Sequence, residues 1–436
     1  VEERLQIYMG EWYLPPETES LPCEGRIRYK PLDVNDGSNS RESRFLIQEL
    51  AWHNFTRPAE QVNQAETSQR LFSVDSKILP ARMFFFNPQT LIQCASAETP
   101  QEDKMYLYCK DTQATLHSNL PHNKQNPFLI QFGDASVSIA PGALAESRRL
   151  RNVNRTLWTD PMVPHFKKFR QAWSGAELDH LTKPENCLGR QTLFRLNAVK
   201  TQIVQPLIWK LNIRRHYKKL NDVPCNDVPW SEKKSMAVFR GKLNGVINRG
   251  DQSHMGMNDK GTCLSIPRCM LVYSSRHSTS IDARLTDVRG RIGGSIEGYN
   301  LTAHSLSMRQ LLRYKALIIV EGNDVSSGLK WALLSQSIVM MPPPRFTSWA
   351  MEEKLEPWIH YVPLDDDLSN VEGSLAWVLE HEAEAARIVR RSTLWILDLL
   401  YHPQALQEEQ QVYREILLRY SRHFVRDDAL ESSIWR

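Results

Sequence analysis

The sequence predicts an α/β protein whose second half builds a parallel sheet, and three observations carry that reading. Short apolar runs without polar alternation recur along the second half, separated by stretches of about ten residues at helical spacing. One such run, ALIIV at residues 316–320, stops abruptly in the polar pivot EGNDVSSG at residues 321–328, and a helical pattern follows. The chain's 436 residues also exceed what one ordinary core serves, so two domains are expected.

Residues 1–125 are rich in Pro, Asn, Gln and Ser, and RMFFFN and KMYLYC within them read as short strands among loops. FLIQF at residues 128–132 is a buried strand stopped by Gly133-Asp134. VPHFKKFRQAW reads as a short helix or its approach. Past residue 205 the alternation begins. MAVFRG, CMLVYSS, ALIIVEG, SIVMM and WIHYVPL are strand-like, and LSMRQLLRYK and SGLKWALLSQ are helical. Apolar runs of this kind fit strands covered on both faces. The end of the chain is helical, with Val412, Ile416, Tyr420 and Phe424 four apart on one face. The expected organisation is residues 1–205, then 206–385, then C-terminal helices from 386 to 436.

Composition excludes several classes. A net charge of +4 and no dense basic run argue against a nucleic-acid partner; RRLR at 148–151 and Arg214-Arg215 read as solvated surface. No apolar run is long enough to cross a membrane. Membrane association is expected only through an anchor removed ahead of Val1. The seven cysteines include no C-x-x-C pair, which disfavours zinc. They fit either several disulfides with one thiol left over or a set of free thiols. Sequons at Asn54, Asn154 and Asn300 tilt the balance toward the secretory lumen, Golgi or endoplasmic reticulum.

The pivot at 321–328 lies where α/β sheets hold ligands, beyond the carboxyl end of a strand and before a helix. Ser326, Ser327 and Gly328 permit close backbone approach, and N–H groups there suit phosphate. The same residues also fit an ordinary turn with a serine cap. Neither a G-x-G-x-x-G nor a P-loop motif occurs. FRGKLNG at 239–245 is a second strand end, where Arg240 offers either a phosphate fork or a surface ion pair.

FRGKLNG, IPRCMLVYSS, IDARLTD, the block from LSMRQ to MMPPP, TSWAMEEKLEPWIHYVPLDDDL and VLEHEAEAARI, in that order, resemble the glycosyltransferase family 90 domain. The resemblance spans roughly residues 126–425 and is closest to the algal and bacterial branch, with E-G-N-D-V-x-S-G-L-K-W. It implies a GT-B fold, two Rossmann-like domains facing a cleft, with the UDP-sugar held by the second. It also implies an inverting, metal-independent transfer of a hexose or xylose to a protein, glycan or polysaccharide acceptor, with no cofactor. Matched by position, Asp134 is the general base. Arg240 and Gly241 meet the donor diphosphate with Ser326, Ser327, Gly328 and Lys330, where animal members carry an arginine at the position of Gly328. Asp282 is placed on sugar or base and Glu352 on ribose, with structural roles the alternative for both. LEPWIHYVPL is expected to close the donor pocket, with Trp358 and His360 packing. LDDDL, the nearest approach to a metal motif, reads as a solvated acidic turn. The competing functions are a lectin-like or chaperone-like protein without turnover and, for location, a bacterial cytoplasmic enzyme.

Overall fold

Apolar runs without polar alternation mark the central strands of a five-stranded sheet in the second half of the chain, and their burial explains the pattern. The computed structural model describes residues 1–9, 83–86, 102–119, 128–132, 166–172, 206–245 and 258–423. Asp134, Asn54 and Asn154 lie outside the described residues. The chain divides into two units, residues 1–212 with 407–436, and residues 213–406.

In the first unit, the opening helix Glu2–Met9 (α1) buries Leu5, Ile7 and Tyr8. A four-stranded sheet follows the order β1 (Met83–Phe86), β2 (Phe128–Gln131), β3 (Phe166–Lys167), β4 (Leu207–Ile208). The first pair is antiparallel and the others parallel. RMFFFN and FLIQF are strands, as expected. KMYLYC instead belongs to a helix, Glu102–Asn119 (α2). Its core face is Tyr108, Thr112 and Leu116, four apart, and the polar Thr112 hides the stripe. Thr112 is satisfied internally, donating from Oγ1 to the Tyr108 carbonyl at 2.9 Å. VPHFKKFRQAW forms β3 and a further short strand, Phe169–Gln171, rather than a helix. Tertiary contacts override propensity there. Arg170 is buried with Nε and Nη2 on the Ile7 carbonyl, at 3.1 and 2.9 Å, and the Lys167 ammonium lies 4.1 Å from the Phe169 ring centre.

In the second unit five parallel strands are β5 (Lys234–Lys242), β6 (Ile281–Asp287), β7 (Tyr314–Ile318), β8 (Ile338–Met341) and β9 (Val362–Pro363). Their spatial order is β9-β8-β7-β5-β6. Ala316 pairs with Ala237 on one side and Ile338 on the other, which fixes the register of the centre. Every residue of β7 and β8 is buried, so neither face can alternate with polar residues. Each large aliphatic side chain there contributes about 1.5–3 kcal/mol by burial.

Helices cover this sheet. Asp259–Leu264 (α3) and Pro267–Ser274 (α4) join β5 to β6, and Leu329–Leu334 (α5) joins β7 to β8. CMLVYSS is therefore mostly helix, not strand. Val371–Glu380 (α6) and Glu382–Leu400 (α7) follow β9. Helix α7 buries Ala385, Ile388, Ser392, Ile396 and Leu399, a stripe at three- and four-residue spacing. The last helix, Ala405–His423 (α8), buries Val412 and Ile416 as expected. Tyr413 on α8 lies 4.5 Å from Trp209, and Glu409 pairs with Lys210 at 2.8 Å, all within the first unit. Cys263 and Cys269 form a disulfide that links α3 to α4, and Cys225 is an exposed free thiol. No helix among the described residues is long and apolar enough to cross a membrane.

Candidate functional site

Strand order decides where a parallel sheet opens. From β5 the chain moves outward to β6, returns to β7 on the other side of β5, and moves outward again through β8 to β9. Connections from β5 and β7 therefore leave in opposite directions. The crevice beyond their carboxyl ends is the switch point at which such sheets bind ligands. The pivot at 321–328 leaves β7 at this place.

Arg268 spans the two strand ends. Pro267 opens α4, where its missing N–H costs nothing. That placement puts Arg268 in the first turn, beside the sheet. Its Nε and Nη2 donate to the Val320 carbonyl at 3.0 and 2.8 Å, and Nη1 donates to the Lys242 carbonyl at 3.2 Å. Two of its five N–H groups have no acceptor among the described residues. Burial lowers its pKa to about 10, against the pull of Asp324 and Glu321, so it remains a cation at neutral pH. Bare backbone packs on this guanidinium. A β-carbon on Gly322 would stand 3.0 Å from Nη2 and 3.2 Å from the Asn244 β-carbon, and one on Gly241 would stand 3.5 Å from Nη1.

The surrounding loops are fastened to one another. Asn323 Oδ1 accepts from the Gly245 N–H at 3.3 Å, which ties the pivot to the end of the β5 loop. Arg289, in a left-handed turn, donates to Asn244 Oδ1 at 2.9 Å, and Arg291 reaches the Gly245 carbonyl at 3.4 Å. Glu321 opens the pivot and accepts from the backbone N–H groups of Arg345 and Phe346, both at 3.2 Å, and from Arg345 Nε at 3.3 Å. Its side chain is only 16% exposed. Burial pushes its pKa up to about 7, with Arg345 opposing. A buried strand leads into so polar a segment because Val320, Glu321, Gly322 and Asn323 in turn meet the Arg268 guanidinium or fasten a neighbouring loop.

The residues singled out from sequence fall into three groups. Ser326, Ser327 and Gly328 lie in the pivot: the Gly328 N–H donates to Ser326 Oγ at 3.4 Å, and the six-residue α5 begins at Leu329. Arg240 and Asp282 are brought together. Arg240 Nη2 grips both carboxylate oxygens of Asp282 at 2.8 and 2.9 Å, and Nη1 donates to the Asp282 carbonyl at 2.8 Å. Tyr314 adds a bond to Asp282 Oδ2 at 3.0 Å, so the cluster ties β5, β6 and β7. Arg240 pairs with Arg284 along the sheet, so its fork reaches back toward the amino ends, away from the crevice. Lys330 and Glu352 form a fully buried ion pair, and Glu352 also accepts from the Ser348 N–H at 2.6 Å and its Oγ at 2.8 Å. Both head groups thus have partners inside the fold.

Trp358 and His360 pack on aromatic rings as expected, Trp358 edge to face on Trp377 and His360 on Trp395, although Trp358 is still 46% exposed. Asn300 is exposed with Oδ1 held by the Thr302 N–H and hydroxyl, both at 2.9 Å. Asp365, Asp366 and Asp367 are exposed beyond β9, as the acidic-turn reading expects. Among the described residues no group of three His, Cys, Asp or Glu side chains is placed to hold a metal. Arg268 was not legible as a site residue, although Pro267 directly before it signals a helix start.

This is a Rossmann-compatible α/β unit with the Arg268 guanidinium pinned at its switch point. The profile of Glycosyl transferase family 90 matches residues 203–424, just over half the chain and all of that unit. The chain belongs to that family. It is 34% identical over 91 residues to the O-glucosyltransferase LpsA of Dichelobacter nodosus, covering 21% of this chain and 29% of that protein. It is 24% identical over 195 residues to the O-glucosyltransferase rumi of Drosophila melanogaster, covering 44% and 42%. It is 31% identical over 104 residues to Protein O-glucosyltransferase 3 of Homo sapiens, covering 22% and 20%. The chain thus spans less than half the length of each of these relatives.

Proposed function

We propose that the chain is an inverting glycosyltransferase that moves a hexose or xylose from a UDP-sugar to a hydroxyl of a protein, glycan or polysaccharide. One observation carries the reading: the family match covers the unit whose switch-point crevice holds a pinned guanidinium with two N–H groups to spare. The relatives' names favour glucose as the sugar and, for the human protein, a protein acceptor. The donor would lie in the crevice with its diphosphate on Arg268 and on the backbone and hydroxyls of Ser326 and Ser327. Arg240 with Asp282, and Lys330 with Glu352, act as positioning residues that hold β5, β6 and the pivot in register. Asp134 serves as general base from the other Rossmann-like half of a GT-B arrangement. It takes the acceptor proton as that oxygen attacks the anomeric carbon opposite the departing diphosphate.

A preorganised guanidinium stabilises the charge that grows on the departing UDP and needs no metal for that purpose. The disulfide and the exposed Asn300 sequon support a secretory lumen. Free thiols at Cys263 and Cys269 in protein from a secretory host would count against that location. The functional test is UDP release from UDP-glucose, UDP-xylose and UDP-galactose, with EDTA present. Release from at least one donor is expected. Release from none would favour a binding protein without turnover, and loss with EDTA restored by manganese would overturn metal independence.

A further inference from the structure

Trp358 is the large aromatic side chain most exposed among the described residues, and the backbone is strained to hold it there. Its φ is 63°, a left-handed conformation costly for a bulky residue. The surrounding turn fixes that conformation. The Trp358 N–H donates to the Tyr361 carbonyl at 2.8 Å, the His360 N–H donates to the Glu356 carbonyl at 2.9 Å, and the Glu356 N–H donates to His360 Nδ1 at 3.0 Å. Strain held this firmly, with the side chain turned to solvent, points to a ligand.

Beside Trp358 is a cavity of about 400 Å³, lined by Trp358, Trp377, Glu384, Arg387, Ile388 and Arg391. The two indoles meet edge to face, 4.7 Å between centres at 70°, so the cavity has an aromatic wall of which Trp358 is the exposed member. Trp377 is itself stacked on His381 at 5.0 Å and 13°. Helix α7 supplies a polar rim, where Arg387 donates to Glu384 at 2.6 Å and Arg391 has no acidic partner among the described residues. The cavity is separate from the crevice. Trp358 precedes β9, and the start of α7 is ion-paired through Glu382 to Lys315, the second residue of β7. Both place it at the amino ends of the strands, opposite the end where the pivot lies.

We propose that this cavity is a glycan-binding subsite that holds one or two pyranose units of an oligosaccharide away from the donor crevice. A pyranose ring has an apolar C–H face and a rim of equatorial hydroxyls. The exposed Trp358 indole matches the first, while a guanidinium and a carboxylate at the edge match the second by donating and accepting in the ring plane. A peptide would call for a deeper apolar pocket or an open strand edge, and neither is part of this cavity. The site stands on its own geometry and does not depend on the donor assignment.

The test is affinity electrophoresis of the full chain through gels containing xylan, β-1,3-glucan, β-1,4-glucan, mannan or galactan, with wild type, Trp358→Ala and Arg391→Ala side by side. At least one polysaccharide should retard the wild type. Trp358→Ala should lose at least tenfold in affinity for it and Arg391→Ala severalfold, with circular dichroism and UDP affinity unchanged in both. Trp358 is exposed, so its removal leaves the core intact. Retardation by none of the five, or equal retardation of Trp358→Ala, overturns the proposal. So does tryptophan quenching by UDP alone that disappears in Trp358→Ala, because the cavity would then be a nucleotide site.

Discussion

Replacing Arg268 with alanine separates its two tasks. The side chain makes three charge-assisted bonds to the carbonyls of Val320 and Lys242, and all three are lost. Bonds to a charged group contribute about 1.5–3 kcal/mol each, though they are not additive when two share one carbonyl. A net loss of about 2–4 kcal/mol is the reasonable expectation. For a unit of this size that lowers Tm by roughly 5–12 °C. The second task, on the proposed reading, is to hold the donor diphosphate. Losing one charge-assisted bond to phosphate weakens UDP binding by about 1.5–3 kcal/mol, or roughly 10- to 100-fold in Kd. Isothermal titration of UDP into both proteins, well below the variant's melting point, measures the second effect without the first. Arg268→Lys is the control: a lysine retains the charge but cannot span both strand ends, so its UDP affinity should fall between the two. If Arg268→Ala melts early yet binds UDP as wild type does, the guanidinium is structural and the donor assignment fails.

Three further outcomes are expected. Asp134→Asn keeps the shape but loses the base, so turnover should fall roughly 10²–10⁴-fold with UDP affinity unchanged; transfer at the wild-type rate would remove Asp134 from the mechanism. Gly322→Ala places a β-carbon 3.0 Å from Arg268 Nη2, and it should raise the Kd for UDP severalfold while costing about 1–3 kcal/mol of stability; an unchanged Kd would mean that Arg268 can move without consequence. Glu321 has its pKa raised from 4.5 to about 7 in the folded chain, so its stabilising contribution is complete below pH 4.5 and is lost as pH rises through 7. That loss is on the order of 3 kcal/mol. Glu321→Gln does not titrate, so the difference in Tm should shift in the variant's favour between pH 5 and pH 8, and a constant difference would refute the assignment.

Strands β5, β7 and β8 were legible because buried parallel strands read as short apolar runs, and the pivot was legible because polarity stops one of those runs within a residue. Helix α4 was not. CMLVYSS is apolar over too short a span for periodicity to separate helix from strand, and only Pro267 marked the start. Reading it as a strand hid Arg268, since a residue before a strand has no reason to point at the sheet's carboxyl end. Helix α2 was hidden by Thr112, whose hydroxyl is satisfied only once the helix exists. The partners of Arg240 and Lys330 were hidden for another reason. Asp282 lies 42 positions from Arg240, and Glu352 lies 22 positions from Lys330, so each pairing is a product of strand register and packing that local pattern does not carry. Side-chain chemistry marked Arg240 as a phosphate fork, while the fold gives that fork a carboxylate.

The central claim is that UDP sits at the switch point between β5 and β7. Hydrogen–deuterium exchange of the full chain with and without saturating UDP tests it directly, because bound diphosphate should slow exchange of the amides that face it. Protection should appear at residues 242–245 and 321–329 and be absent from residues 356–361 beside Trp358. Unchanged exchange in both crevice segments under saturation, with protection elsewhere, would contradict the account.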